Sequence, residues 1–365
     1  MLRPGNFLFP SALAIGASLL LSGCGHSGNS GTPSNTNGGN PAAPAGISAN
    51  APTYVLISNA VAPFWETARL GMEAAGAKLK VNVMMSEPTP DTNDAQVTLL
   101  NDAISKNAAG VGMSSINPMA ITPAINKLMA DKIPFISFDS DAPESHRLAY
   151  LGTNNIEAGE ILGNYVKTLY PKGGKLLAFV ANMSSQGAID RYQGMLNAFK
   201  GNNITFIAPP MLDNGDKSEA QANVQSAITR FGSKGLDGLV GLYSYDGPAI
   251  IDAVHQMNVR SKFKIICFDG DPQTLHGLTT GDVDCAVVQK PYYFGYLTVM
   301  LLNYLHEDNG NIDEAFKQIA PEIAKHKGMK MFPSKHIIDT GVKLVTPANA
   351  VPFLKGLKNA GITST

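Results

Sequence analysis

From Thr53 onward the chain alternates two patterns of apolar residues. Short continuous apolar runs are followed by longer stretches in which apolar side chains recur every three or four positions. The run TYVLIS at 53–58 reads as a strand buried on both faces. Directly after it, Phe64, Ala68, Met72, Ala75 and Leu79 share one face of a helix over 64–80. The same logic predicts strand 81–85, a helix over 91–106 capped by Asp91, strand 109–113, helix 118–131, strand 134–138 and a short strand at 148–151. The second half continues with helix 155–170, strand 175–181, helix 186–200, strand 204–208, helix 217–231 and strand 238–243. Helix 247–257, strand 264–268, strand 285–289 and helix 291–306 complete the pattern. Such alternation predicts an α/β fold with parallel sheets covered by helices on both faces. There are too many strands for one comfortable sheet, so two similar lobes are expected.

Two of the strands end in the same word. Residues 135–143 read FISFDSDAP, and residues 265–272 read IICFDGDP. In open α/β sheets, ligands are met at the carboxyl ends of strands. The residues just after the predicted strands therefore form the candidate site. They are Phe64 and Trp65 (the sole tryptophan), Asp139 and Asp141, Arg191, Tyr245 and Asp246, Asp269 and Asp271, and Gln289. Adjacent helical residues point in different directions, so at least one of Phe64 and Trp65 is expected to face a cleft. Flat rings cover the C–H face of a sugar, and carboxylates accept hydroxyl hydrogen bonds with charge assistance. A guanidinium offers a rigid fork of donors. Asp139 and Asp269 are the expected ligand contacts, and the second aspartate of each word fits a turn or cap.

Composition narrows the classes. The chain has 365 residues and a formal net charge of -1, with no cluster of Lys or Arg. A nucleic-acid partner is therefore not expected. Arg3 precedes an apolar stretch over 7–21 that ends in Leu-Ser-Gly-Cys24. This reads as a secretory leader over 1–23, and its end resembles the lipobox of bacterial lipoproteins, which implies a lipid on Cys24 and anchoring to a membrane. Residues 24–52 are rich in Gly, Ser, Asn, Pro and Ala. They read as a flexible tether reaching roughly 30 Å. Cys267 and Cys285 lie in apolar runs and read as buried free thiols, with pairing left open.

From Thr53 to about Lys343 the chain resembles the sugar-binding proteins of bacterial ABC transporters, in the ribose-binding branch of the type I periplasmic binding proteins. The resemblance rests on APFWETARLGMEAAG, IPFISFDSDAP, YLGTNNIEAGEILG, GAIDRYQGMLNAF, DNGDKSEAQANVQSAI and IICFDGDPQTLHGL, taken in order. It implies two Rossmann-like lobes joined by three hinge crossings, near Thr153–Asn154, near Gln289–Lys290 and near residue 330. The first lobe would hold 53–153 and 290–329, the second 154–289 and 330–345, with 346–365 as an extension. It also implies that Phe64 and Trp65 stack on the sugar and that Asp139, Arg191, Asp246, Asp269 and Gln289 bind it. Ser140, Asp141 and Tyr245 are secondary candidates. Ala62 and Ser140 stand where ribose binders carry Asn and Arg, and Asp246 where they carry Asn. One cation fewer and one carboxylate more argue against ribose, sugar acids and sugar phosphates, and for a neutral sugar or polyol.

The implied activity is capture by hinge closure and delivery to an ABC permease, by a monomer without a cofactor. A sugar-sensing receptor with a chemotaxis or kinase partner is the alternative. A metal-dependent enzyme is a further one, but the chain carries no P-loop, no G-x-S-x-G and no closely spaced metal ligands. A repressor on the same fold would need a DNA-binding helix-turn-helix before Thr53, where the leader and tether stand instead.

Overall fold

A computed structural model describes residues 47, 48 and 50–365. The leader, Cys24 and nearly all of the tether lie outside the described residues. The chain first lays down β1 (Thr53–Ile57), α1 (Pro63–Leu79), β2 (Asn82–Ser86), α2 (Asn93–Ser105), β3 (Gly110–Met113), α3 (Pro118–Ala130), β4 (Phe135–Phe138) and β5 (Ala149–Gly152). It then crosses to a second sheet. There follow α4 (Asn155–Leu169), β6 (Gly174–Val180), α5 (Gln186–Phe199), β7 (Ile204–Phe206), β8 (Met211–Leu212), α6 (Lys217–Phe231) and β9 (Gly238–Gly241). Next come α7 (Asp246–Gln256), β10 (Lys264–Phe268), α8 (Pro272–Thr280) and β11 (Cys285–Val288). The chain returns to the first sheet through α9 (Pro291–Glu307), α10 (Ile312–Ile323), β12 (Lys330–Phe332) and β13 (Ile337–Asp339). It ends on the second with β14 (Lys343–Val345) and α11 (Pro347–Asn359).

The first sheet runs β12-β13-β5-β4-β3-β1-β2. The second runs β14-β11-β10-β9-β6-β7, with β8 also on β6. All ladders are parallel except β12–β13 and β11–β14. The third crossing therefore falls between β13 and β14, at 340–342, and not near residue 330. β12 and β13 pair with each other and with β5, so 330–339 belong to the first lobe. The expected second-lobe segment 330–345 shrinks to its last residues. Residues 346–359 are part of the second lobe, with α11 packed on α8 and β14.

Double-sided burial accounts for the continuous apolar strands. In β1, Tyr54 and Leu56 enter one core while Val55 and Ile57 enter another on the opposite face. In β6, Leu177 and Phe179 face one core and Leu176, Ala178 and Val180 the other. The same two-residue period explains the thiols. Cys285 pairs with Ile266, so Cys267 points to the opposite face, and both cysteines are free and buried.

Each lobe brings one helix pair into close contact through glycine. A methyl group on Gly71 would collide with the Tyr292 carbonyl, and one on Gly295 with the Ala68 carbonyl, so α1 seats directly on α9. In the second lobe Gly159 and Gly194 play the same part for α4 and α5. These contacts matter because α1 carries Phe64 and Trp65, and α5 carries Arg191.

Candidate binding site

The carboxyl ends of the two sheets face one cavity of about 140 Å³. Its first wall carries Phe64, Trp65 and Asp139. Its second carries Arg191, Tyr245, Asp269 and Gln289. Seven of the residues picked out from strand ends thus meet in one place. Pro63 opens α1 with its φ already set for a helix, and the next two residues are the aromatic pair. Both rings line the cavity and both are buried in the first lobe's core, at 6% and 2% exposure. At least one was expected to face a cleft; both do, while also packing into the core. Trp65 stands edge-on to Phe64 at 4.9 Å and to Phe138 at 5.9 Å, so the core itself holds the wall in place.

The repeated word has a backbone meaning. Asp139 and Asp269 both adopt left-handed φ, 57° and 63°. Aspartate tolerates this region better than most residues, yet the conformation still costs on the order of 1 kcal/mol. Each amide donates to the next strand, Asp139 to the Leu151 carbonyl at 3.0 Å and Asp269 to the Val287 carbonyl at 2.8 Å. The left-handed turn then ends the strand, and both residues line the cavity. Asp139 Oδ2 accepts from Ser114 Oγ at 2.7 Å. Asp269 Oδ2 accepts from Arg191 Nη1 at 3.0 Å, while its buried Oδ1 has no partner among the described residues. Burial pushes the Asp269 carboxyl up to about 6, against the pull of Arg191 and with help from the charge of Asp139. Burial also raises Asp139, opposed by Arg191, Ser114 and Gln289.

Arg191 is a hub. Its Nε donates to Asn155 Oδ1 at 3.0 Å, and Nη1 donates to the Leu242 carbonyl at 2.7 Å as well as to Asp269. Nη2 donates to Gln289 Oε1, and Gln289 Nε2 continues to Thr153 Oγ1 at 2.8 Å. Four of the five N–H groups of a guanidinium are engaged by protein acceptors, which leaves one for a ligand. The side chain also lies over the Phe268 ring at 4.9 Å. Arg191 therefore acts chiefly by fixing Asp269 and Gln289, two residues that themselves face the cavity.

Four candidates are elsewhere. Asp246 is fully buried and off the cavity wall, because it opens α7 and turns its carboxylate back to accept from the Tyr243 amide at 2.8 Å. Burial holds its carboxyl well above the ordinary range, reinforced by the charge of Asp213. Ser140 lies behind the wall, its Oγ 3.3 Å from Ser185 Oγ on the other lobe, where it bridges the lobes. Asp141 accepts from Arg147 Nη2 at 2.7 Å and from the Ala142 amide, and it lines a separate hinge-side cavity. Its counterpart Asp271 caps α8, accepting from the Gln273 amide. Tyr245 is on the wall, its hydroxyl anchored to Asp213 Oδ1.

The charge difference from ribose binders also changes. Ala62 lies on the wall, while Ser140 and Asp246 do not. The additional wall charges are Asp91 and Lys217, one per lobe. Asp91 was expected to cap a helix, but Thr92 takes that place by accepting from the Ala95 amide. Asn182 and Tyr243 add to the polar lining, together with Asn59, Ser185, Asn214 and Ser244. Asn182 and Tyr243 come just after β6 and β9, so the strand-end rule could have found them, whereas Asp91 and Lys217 lie further on, in the loop after β2 and at the start of α6. Asp91 was read as a cap, Lys217 fell in the expected helix 217–231 and Tyr243 inside the expected strand 238–243, so none was taken as a strand-end contact.

Residues 53–310 match the model of the periplasmic binding protein domain. The chain belongs to this family. It is 24% identical over 318 residues to the xylose/arabinose-binding protein of Sulfolobus acidocaldarius, covering 82% of this chain and 72% of that one. It is 21% identical over 248 residues to the ribose import binding protein of Salmonella typhimurium, covering 66% and 80%. Among solved structures it resembles a glucose-galactose binding protein from Geobacillus stearothermophilus, with a TM-score of 0.71 at 21% identity over 82% of this chain and 98% of that one. A carbohydrate transporter solute-binding protein from Agrobacterium radiobacter, in complex with D-arabinose, gives 0.71 at 21% over 85% and 99%. The two-lobed α/β architecture is thus that of the family.

Proposed function

We propose that the protein binds one neutral monosaccharide or sugar alcohol between its lobes and delivers it to an ABC permease. The observation that carries this reading is the facing pair Asp139 and Asp269, one per lobe, beside a ring wall in a single small cavity. Two carboxylates count hydroxyls, and the rings of Phe64 and Trp65 match the C–H face of a sugar. A cavity of about 140 Å³ is the scale that accepts one six-membered ring, not an oligosaccharide. Carboxylates on both lobes, with Arg191 already engaged, disfavour an anionic sugar. The lobes close on the ligand, and contacts from the second lobe stabilise the closed form.

A thermal-shift screen with pentoses, hexoses and polyols is expected to raise the melting temperature with at least one of them. Turnover of any sugar to product would overturn the binding reading. For the sugar that binds, Asp139→Ala is expected to weaken affinity about 30-fold, the equivalent of ~2 kcal/mol. Unchanged affinity by calorimetry would remove Asp139 from the site.

Export and anchoring belong to the same reading. The apolar stretch ends at Leu-Ser-Gly-Cys24, and no helix among the described residues is long and apolar enough to cross a membrane. A lipid on Cys24 would hold a monomeric body at the membrane surface through the tether. Cys24→Ser is expected to move the protein from the membrane fraction to the soluble fraction on centrifugation. A variant that stays with the membrane would refute lipidation at Cys24.

A further inference from the structure

The segment after α11 does not trail into solvent. It returns to the mouth of the cleft and ends between the lobes. Ser364 and Thr365 are buried, at 0% and 5% exposure. Thr365 pairs with Gly270 in both directions: its amide donates to the Gly270 carbonyl at 3.0 Å, and its main-chain oxygen accepts from the Gly270 amide. On the other side, Thr67 Oγ1 of α1 donates to the Ser364 carbonyl at 2.7 Å, and Thr67 is itself 2% exposed. A side chain on Gly270 would collide with the Thr365 hydroxyl, so glycine at this position is what admits the segment.

The partners of these two residues decide their meaning. Gly270 follows Asp269, the second-lobe carboxylate, whose left-handed turn this pairing backs from behind. Thr67 lies one helical turn beyond Phe64, the first-lobe ring. The segment is covalently part of the second lobe, because α11 packs on α8 and β14. Its bond to Thr67 is therefore a contact between lobes, made away from the three hinge crossings and outside the cavity lining.

We propose that residues 362–365 form a strap that locks the closed form. In this role Thr67, Ser364 and Thr365 are positioning residues, which tie the helix bearing the ring wall to the loop bearing Asp269. They touch no ligand. Opening the lobes must break the Thr67–Ser364 bond, so the strap slows release, while entry into the open form does not involve it. This rests on the reading of the cavity as a closing sugar site.

The test compares the full chain with a chain stopped after Gly361, with Thr67→Val, and with Thr67→Ser. The probe is whichever of D-xylose, D-ribose, L-arabinose and D-galactose binds the full chain tightest, followed by stopped-flow fluorescence of Trp65. The shortened chain and Thr67→Val are expected to release sugar about five to ten times faster, the scale of losing one net hydrogen bond. Association rates should stay within about twofold, and Thr67→Ser should restore slow release. Unchanged release in both variants overturns the strap. So does a fall in the ligand-free melting temperature without faster release, because that marks a purely structural contact. A full chain that binds none of the sugars overturns the sugar reading and the strap with it, whereas a full chain that binds, beside variants that release no faster, overturns the strap alone.

Discussion

Arg191→Met is expected to abolish sugar binding and to destabilise the fold by about 3–5 kcal/mol, the usual cost of removing one partner from a buried ion pair. The substitution keeps most of the apolar stem over Phe268 but removes four donated hydrogen bonds. Asp269 then keeps a buried carboxylate with no cation beside it, and Gln289 loses its fixed orientation. In a chain of this size the melting temperature should drop by roughly 10 °C. A double variant separates the causes. Adding Asp269→Asn to Arg191→Met removes the stranded charge and should recover part of the stability, with a coupling of about 1 kcal/mol or more between the two sites. Binding should not return, because the counted carboxylate is gone. Calorimetry showing Arg191→Met within about threefold of wild-type affinity would contradict the hub role.

The lobes were legible from the chain because burial on both faces of a sheet leaves little freedom. Runs such as TYVLIS and KLLAFVA have nowhere to lie except between two layers of helices. The aspartate words were legible for a related reason, since a strand end is where a polar residue can meet a ligand. The third crossing was misplaced because β12, β13 and β14 are short, with only three residues each, too few for periodicity to assign them to a sheet. Asp246 was misassigned because tertiary geometry decides its role. One residue away, Tyr245 faces the cavity, while Asp246 turns into the helix start. The strap left no local trace. Residues 346–365 read only as an extension, and only the fold brings Thr67 and Gly270, about two hundred positions apart, to either side of its end.

The pH response should run in opposite directions for the empty and the liganded protein. Asp269 has an ordinary value of 3.8 and is pushed up to about 6 in the folded chain, mainly by burial. A carboxyl raised on folding favours the folded state while protonated. Its contribution is fully present below about pH 4 and is lost as the pH rises through about 6, a change of ~3 kcal/mol. Asp139 and Asp246 are raised as well and act in the same sense. Asp282 and Glu322 are lowered by their cationic and hydrogen-bonding partners, so their stabilisation is lost only as the pH falls below the ordinary carboxylate range. Between about pH 4 and 6 the ligand-free protein should therefore melt at a higher temperature on the acid side. Affinity should follow the reverse course. Hydroxyl donors are held best by an ionised Asp269, so the dissociation constant should rise about tenfold from about pH 7 to about pH 5. Asp269→Asn carries no titratable group and should flatten that dependence while binding more weakly throughout. Melting curves of the empty protein and titration calorimetry over this range read the two slopes separately. Affinity that stays constant from about pH 5 to 7 in the wild-type chain, or a slope that persists in Asp269→Asn, would remove the ionised Asp269 carboxylate from ligand recognition.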